Sequence, residues 1–348
     1  MKLFHISHTD LDGFTCQLIT KEFFKEGYFY NANYGSEVKL SIKKALEDML
    51  EFKDEEILFL ITDLNLTFQE SKDLDLDISK MNENGYKIKL QLLDHHVSGK
   101  KSADSFYWYY LDDKRCATKI VYDYMFEEYE GFDCNTSAWL KPLVDAVNAV
   151  DIWLEHEKKN FEFGKVLMSM VTKVKEINNI LFADLSREFK FYLLKEASKY
   201  LDEVDGHIKL DNEVHFIKKE FLKLNNKDDT LDNLSAIYLV KTLDDIKEQL
   251  TVTYQEHKGL LTYCLGSISI PANAFLKANP DYDFFIDINK KGSASFRADG
   301  KLDVSILAAK LANGGGHVNA SGGKFEDFKE TINFSDVKNY IQNKLNKI

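Results

Sequence analysis

Residues 55 to 65 read EEILFLITDLN, and Ile57 to Ile61 within them form an unbroken apolar run closed by Thr62 and Asp63. A strand needs such a run when both of its faces are covered, as in a parallel sheet with helices on each side. The flanks agree with that reading. SEVKLSIKKALEDMLEF (36–52) before it, opened by Ser36, is amphipathic at helical spacing, and FQESKDLDLDISKMNENGY (68–86) after it is helical in part. Further out, KLFHIS (2–7), YFYNANY (28–34) and KIKLQLL (87–93) have strand length, and TCQLITKEFFKEG (15–27) is a helix stopped by Gly27. The order βαβαβαβ predicts an α/β fold whose N-terminal domain is a mostly parallel sheet with helices on both faces.

CATKIVYDYMFEEYE (116–130), SAWLKPLVDAVNAVDIWLE (137–155) and ADLSREFKFYLLKEASKYLDEVDGHIKL (183–210) continue in helical pattern, and the last can carry the chain out of the first domain. From about Asn212 strand-like runs return: VHFIKKEF (214–221), LSAIYLV (234–240), LLTYCLGSISI (260–270) and YDFFIDINKKGSASFRAD (282–299). A helix, VSILAAKLANGGG (304–316), follows them. The expected organisation is a first domain at 1–185, a helical linker at 186–210 and a smaller α+β domain at 211–348.

At 348 residues the chain is long for one core, which suits two domains. The apolar share of 44% and charged share of 29% are those of an ordinary globular protein. No stretch reaches 18 apolar residues and the N-terminus turns polar at once, so the expectation is a cytoplasmic protein with no membrane partner. Four scattered cysteines, Cys16, Cys116, Cys134 and Cys264, offer neither a disulfide framework nor a thiolate metal site. A net charge of −12 argues against coating long nucleic acid, yet leaves room for short anions in a local pocket.

Ligands of open parallel sheets bind beyond the carboxyl ends of the strands, and three such ends carry acids or imidazoles. FHISHTDLDGF (4–14) delivers His8, Asp10 and Asp12, FLITDLN (59–65) delivers Asp63, and LLDHH (92–96) delivers Asp94, His95 and His96. Residues two apart on a strand share a face about 6.6 Å apart, and a curl permitted by Gly13 would gather the first three around one centre. Each cluster has a plain structural explanation alone: D-x-D-G is a common turn, and Asp63 or DHH would serve as a helix cap. Placed together they crowd like charges, which cations neutralise. Oxygen and imidazole donors without thiolate suit Mn²⁺ or Mg²⁺, and there are more of them than one ion needs. Two ions about 3.5 to 4 Å apart, sharing a carboxylate, form the clamp used in phosphoryl transfer. In VDAVNAVDIW (144–153), Asp145 and Asp151 are too far apart in helical phase to share a face, and Asp151, where the apolar run ends, is preferred as a further ligand.

The second half offers KLANGGGHVNASGGKF (310–325). Gly314, Gly315 and Gly316 after a helix let backbone N–H groups approach an anion, with His317 and Asn319 as added donors, although a glycine-rich cap and hairpin explains them too. Arg297 in SASFRADG suits a bidentate phosphate contact or an ordinary surface charge.

The motifs SHTDLDG, ITDLN, LLDHH, NAVDIW and GGGHVNASGG, in this order, resemble the DHH phosphoesterases with a DHHA1 C-terminal domain. SHTDLDG and CATKIVYDYM are most similar to the NrnB-type oligoribonucleases, the nanoRNases. The resemblance implies two divalent ions, Mn²⁺ preferred with Mg²⁺ as the alternative. His8, Asp10 and Asp63 would hold one, and Asp12, Asp63, His95 and Asp151 the other. It further implies that Asp94 orients His95, that His96 faces the scissile phosphate, and that Arg297 with the Gly314–His317 loop binds the substrate. The implied activity is 3′ to 5′ hydrolysis of short single-stranded oligoribonucleotides or dinucleotides to 5′-mononucleotides; the sequence is silent on oligomeric state, with a homodimer one assembly it allows. Alternatives are a 3′-phosphoadenosine-5′-phosphate phosphatase, a linear or cyclic dinucleotide phosphodiesterase and, less well matched, a pyrophosphatase or polyphosphatase. A non-catalytic nucleotide-binding regulator is the reading from another class.

Overall fold

The computed structural model describes every residue except 25, 130, 226 and 332. It divides into two compact units, one of residues 1–174 and 190–214, the other of 175–189 and 215–348. The first contains β1 (Lys2–Ser7), α1 (Leu11–Phe23), β2 (Gly27–Asn31), α2 (Ser36–Met49), β3 (Glu56–Thr62), α3 (Phe68–Glu83), β4 (Lys87–Asp94) and α4 (Lys100–Ala103). It continues with β5 (Tyr109–Leu111), α5 (Ala117–Glu128), α6 (Cys134–Asp151) and α7 (Lys158–Thr172). The chain passes between the units within α8 (Ala183–Ser198) and again within α9 (Gly206–Leu222), so the segment 186–210 expected as a linker has residues in both.

The first unit's sheet is fully parallel, in the order β2-β1-β3-β4-β5. The apolar run of β3 behaves as its composition demands. Ile57, Phe59 and Ile61 pack among residues of α2 and α3, while Leu58 and Leu60 pack against α1, α5 and α6 on the other face. All five are at most 1% exposed, and burying each contributes about 1.5 to 3 kcal/mol. β1 is flanked by β2 on one side and β3 on the other, so the connections leave it in opposite directions. The carboxyl ends of β1 and β3 therefore bracket the switch point where such sheets bind ligands.

The second unit adds α10 (Leu231–Leu250), β6 (Thr251–Tyr254), β7 (His257–Tyr263), α11 (Ser269–Ala278), β8 (Phe284–Ile288) and β9 (Ser293–Ala298). α12 (Val304–Ala312), β10 (Gly315–His317), β11 (Ala320–Lys324) and α13 (Phe334–Leu345) complete it. Its mixed sheet runs β10-β11-β9-β8-β7-β6, with only β7 and β8 parallel among the described pairs, and α12 and α13 fill one face. Two expected strands are helices here: VHFIKKEF lies in α9 and LSAIYLV in α10. Val214, Ile217 and Phe221 are spaced i, i+3, i+7, and Leu234, Ala236, Leu239 and Leu243 form the buried stripe of α10. Interleaved apolar residues such as Phe216 and Ile237, both exposed, hid that period. Among the described residues no helix is long and apolar enough to cross a membrane.

Candidate metal centre

β1 passes to α1 through His8, Thr9 and Asp10. Asp10 caps α1, its Oδ1 accepting from the Gly13 N–H at 3.0 Å, and its Oδ2 lies 2.8 Å from His8 Nδ1. DLDG is thus the cap and first turn of a helix, where a curled strand end was expected. Glycine at 13 supplies closeness: a Cβ there would stand 2.3 Å from the His8 carbonyl oxygen. Asp12, in the same turn, is fully buried. Its carboxylate accepts the Ala117 N–H at 2.9 Å and the Thr118 N–H at 2.7 Å. The opening N–H groups of a helix have no partner within it, so the start of α5 holds the Asp12 carboxylate in place. This is the physical content of the CATK motif.

Asp63 follows β3 with φ of 55°, a left-handed conformation costing an L-residue about 1 to 2 kcal/mol. Its N–H donates to the Leu93 carbonyl at 3.1 Å. In this pose its two carboxylate oxygens serve different neighbours. Oδ2 is 3.7 Å from His8 Nδ1, and Oδ1 is 3.3 Å from His95 Nε2. The same His95 nitrogen lies 3.6 Å from Asp151 Oδ2, at the end of α6, and 3.7 Å from Asp12 Oδ2. Ligand-capable atoms of His8, Asp10 and Asp63 lie within 4.8 Å of one another, as do those of Asp12, His95 and Asp151 and those of Asp63, His95 and His96. Asp145 is elsewhere, paired with Lys119 at 3.0 Å.

Asp94 was expected to orient His95, and the structure corrects this. Its Oδ1 is 2.7 Å from His96 Nδ1, while Oδ2 accepts the Tyr109 hydroxyl at 2.9 Å. Side chains alternate along an extended chain, so 94 and 96 share a side and 95 takes the other. Tyr109→Phe would strip a buried carboxylate of one hydrogen bond. We expect chemical denaturation to show a loss of about 1.5 to 3 kcal/mol.

The electrostatics carry the mark of crowded acids. Burial, then the charge of Asp12, pushes Asp63 well above the usual carboxylate range, and the same two causes raise Asp151 to about 8. For His8, burial works to lower the pKa, but Asp10 and Asp63 outweigh it and hold it near about 10. Asp63 Oδ2 and Asp151 Oδ2 are buried without a hydrogen-bond donor. Acceptors left unpaired and carboxylates pushed toward protonation are what a cation relieves, and the donor set is all oxygen and imidazole. These residues fit hard divalent cations.

Tyr34 was missed by sequence reasoning. It sits between β2 and α2, off a further strand of the same parallel sheet, with its hydroxyl 3.0 Å from His96 Nε2 and its ring 5.0 Å from that of His8. The strand-end rule applied to β2 would have found it; a search confined to acids and histidines could not.

The other expected residues belong to the second unit. Arg297 on β9 donates to the Phe296 carbonyl and to Ser269 Oγ, and it lines a 590 Å³ cavity with Ser269, Asn273, Lys277 and Asn319. Gly315, Gly316 and His317 form β10, an edge strand, rather than a free loop. Gly314 and Gly316 are required there, since a Cβ at either would meet the β11 backbone within 2.6 Å.

No family model matches the chain. It is 44% identical over 342 residues to the 3′,5′-cyclic-nucleotide phosphodiesterase of Helicobacter pylori (strain ATCC 700392 / 26695), a match that covers 98% of each chain. Among solved structures, an uncharacterized protein from Helicobacter pylori G27 superposes with a TM-score of 0.94 at 43% identity, covering all of both chains. Identity at this level over essentially the full length places the chain in the family of the Helicobacter pylori 3′,5′-cyclic-nucleotide phosphodiesterase.

Proposed function

We propose that the protein hydrolyses the 3′ ester of nucleotide phosphodiesters in a two-cation centre, with 3′,5′-cyclic nucleotides as its leading substrates. The observation that carries this reading is the division of Asp63 between two ligand groups, Oδ2 facing His8 and Oδ1 facing His95. His8, Asp10 and Asp63 would hold one ion, and Asp12, Asp63, His95 and Asp151 the other, with Mn²⁺ preferred over Mg²⁺. The substrate class follows the activity of the 44% identical relative from Helicobacter pylori.

Divalent cations supply such a site with Lewis acidity toward the phosphoryl oxygens and with acidified water at neutral pH. The chain's own residues do the rest. Asp94 engages Nδ1 of His96, and the Tyr34 hydroxyl holds Nε2, the nitrogen that would meet the phosphate once substrate displaces that contact. The α5 N-terminus fixes the Asp12 carboxylate in the position of a ligand. Arg297, Gly314, Gly315, Gly316 and His317 are the second unit's substrate-binding groups in this reading.

A second reading, favoured by the SHTDLDG and CATKIVYDYM motifs, is 3′ to 5′ cleavage of short oligoribonucleotides. Both reactions break the same bond and leave a 5′-phosphate. Product analysis with Mn²⁺ on 3′,5′-cyclic AMP, a linear dinucleotide, RNAs of 2 to 24 nucleotides, 3′-phosphoadenosine-5′-phosphate and pyrophosphate separates them. We expect 5′-AMP from the cyclic nucleotide. Turnover of pyrophosphate alone would defeat both readings.

A further inference from the structure

Trp153 stands two residues beyond Asp151, in a place that a tryptophan is poorly suited to fill. α6 closes with the Leu154 N–H donating to the Ala149 carbonyl at 2.7 Å, the 6→1 bond of a Schellman motif with Ile152 as the cap. Trp153 is then the residue after the cap, with φ of 59°, a position that glycine usually takes because an L side chain is strained there. The ring is also left in water. Trp153 is 60% exposed, whereas Trp108 is 1% exposed. Backbone strain and exposed aromatic surface both count against this side chain, and glycine would relieve both.

The indole is nevertheless fixed. Nε1 donates to Glu155 Oε1 at 2.8 Å, and the ring meets Phe161 in a T-shaped contact at 5.0 Å. These contacts set the plane of the ring and leave most of its area open. Asp151 places an oxygen 3.6 Å from His95, and two residues span at most about 7 Å of chain, which is within the reach of one nucleotide. Strain retained beside a reactive centre, on a rigid exposed aromatic, is the pattern of a stacking platform.

We propose that Trp153 is the surface on which the base of the nucleotide substrate stacks, fixing the phosphodiester over the strand-end cluster. The proposal rests on the nucleotide phosphodiesterase reading. Stacking uses the π-face common to all bases, so the platform tolerates base identity.

The test is steady-state kinetics of Trp153→Ala, Trp153→Phe and Trp153→Gly on 3′,5′-cyclic AMP and on a dinucleotide, with thermal midpoints for each. Trp153→Ala should raise KM roughly 5- to 150-fold with kcat within about twofold, and Trp153→Phe should restore much of the loss. Trp153→Gly should bind as poorly as the alanine variant yet melt no lower than the parent, which a packing role for the indole would not allow. An unchanged KM in Trp153→Ala, or a Trp153→Gly that loses stability in step with affinity, overturns the proposal. Titration of the parent with 5′-AMP, read by tryptophan fluorescence, separates this from the reaction itself. Quenching that disappears in Trp153→Phe supports stacking even if no tested phosphodiester turns over, which would defeat the reading beneath it; no quenching at millimolar 5′-AMP defeats the platform alone.

Discussion

Asp63→Asn is expected to lower kcat by about 10³-fold or more while making the protein, measured in chelator, slightly more stable. The loss follows from position: one carboxylate faces both the His8 side and the His95 side, so its charge is needed at both. The gain follows from the same residue's cost to the fold. Asp63 is 2% exposed, one of its oxygens has no donor, and burial and Asp12 drive its pKa well up. A neutral side chain of the same shape removes that repulsion, a relief of about 1 kcal/mol, or roughly 2 to 4 °C in midpoint. Mn²⁺ at 100 times its Kd should stabilise the parent by about 2.7 kcal/mol and should do much less for the variant. A variant that remained active and still gained its midpoint shift from Mn²⁺ would remove Asp63 from the centre.

Gly13→Ala should damage the fold and the site together. The added Cβ would lie 2.3 Å from the His8 carbonyl oxygen and 2.7 Å from its carbonyl carbon, both backbone atoms of a strand end that cannot turn aside. α1 must then back away from β1, taking with it Asp10 at its cap and Asp12 in its first turn. We expect a cost of about 3 kcal/mol or more, a midpoint drop of roughly 6 to 12 °C, and a fall in activity beyond that explained by unfolding. Gly315→Ala makes the contrast, since a Cβ there meets nothing within 4 Å.

The first unit was legible because its strands are unbroken apolar or alternating runs, and because acids and histidines at strand ends are conspicuous. β3 shows this best, each face of Ile57 to Ile61 having its own helices to cover it. The second unit was harder. In α9 and α10 extra apolar residues, Phe216 and Ile237 among them, lie on exposed faces and blur a period of 3.6 into something strand-like. Within the site, sequence identified which residues gather but misjudged how. Asp10 and Asp12 are a helix cap and first turn, and Asp94 serves His96, as i and i+2 alternation would have shown. Tyr34 and the α5 N–H groups contribute a hydroxyl and backbone, which carry no signature in a search for ligands.

The proposed two-ion centre can be tested most directly by anomalous scattering from crystals grown with Mn²⁺. We expect two peaks, one among His8, Asp10 and Asp63 and one among Asp12, Asp63, His95 and Asp151, with Asp63 touching both. A single peak, or two that leave Asp63 without an ion, would contradict it.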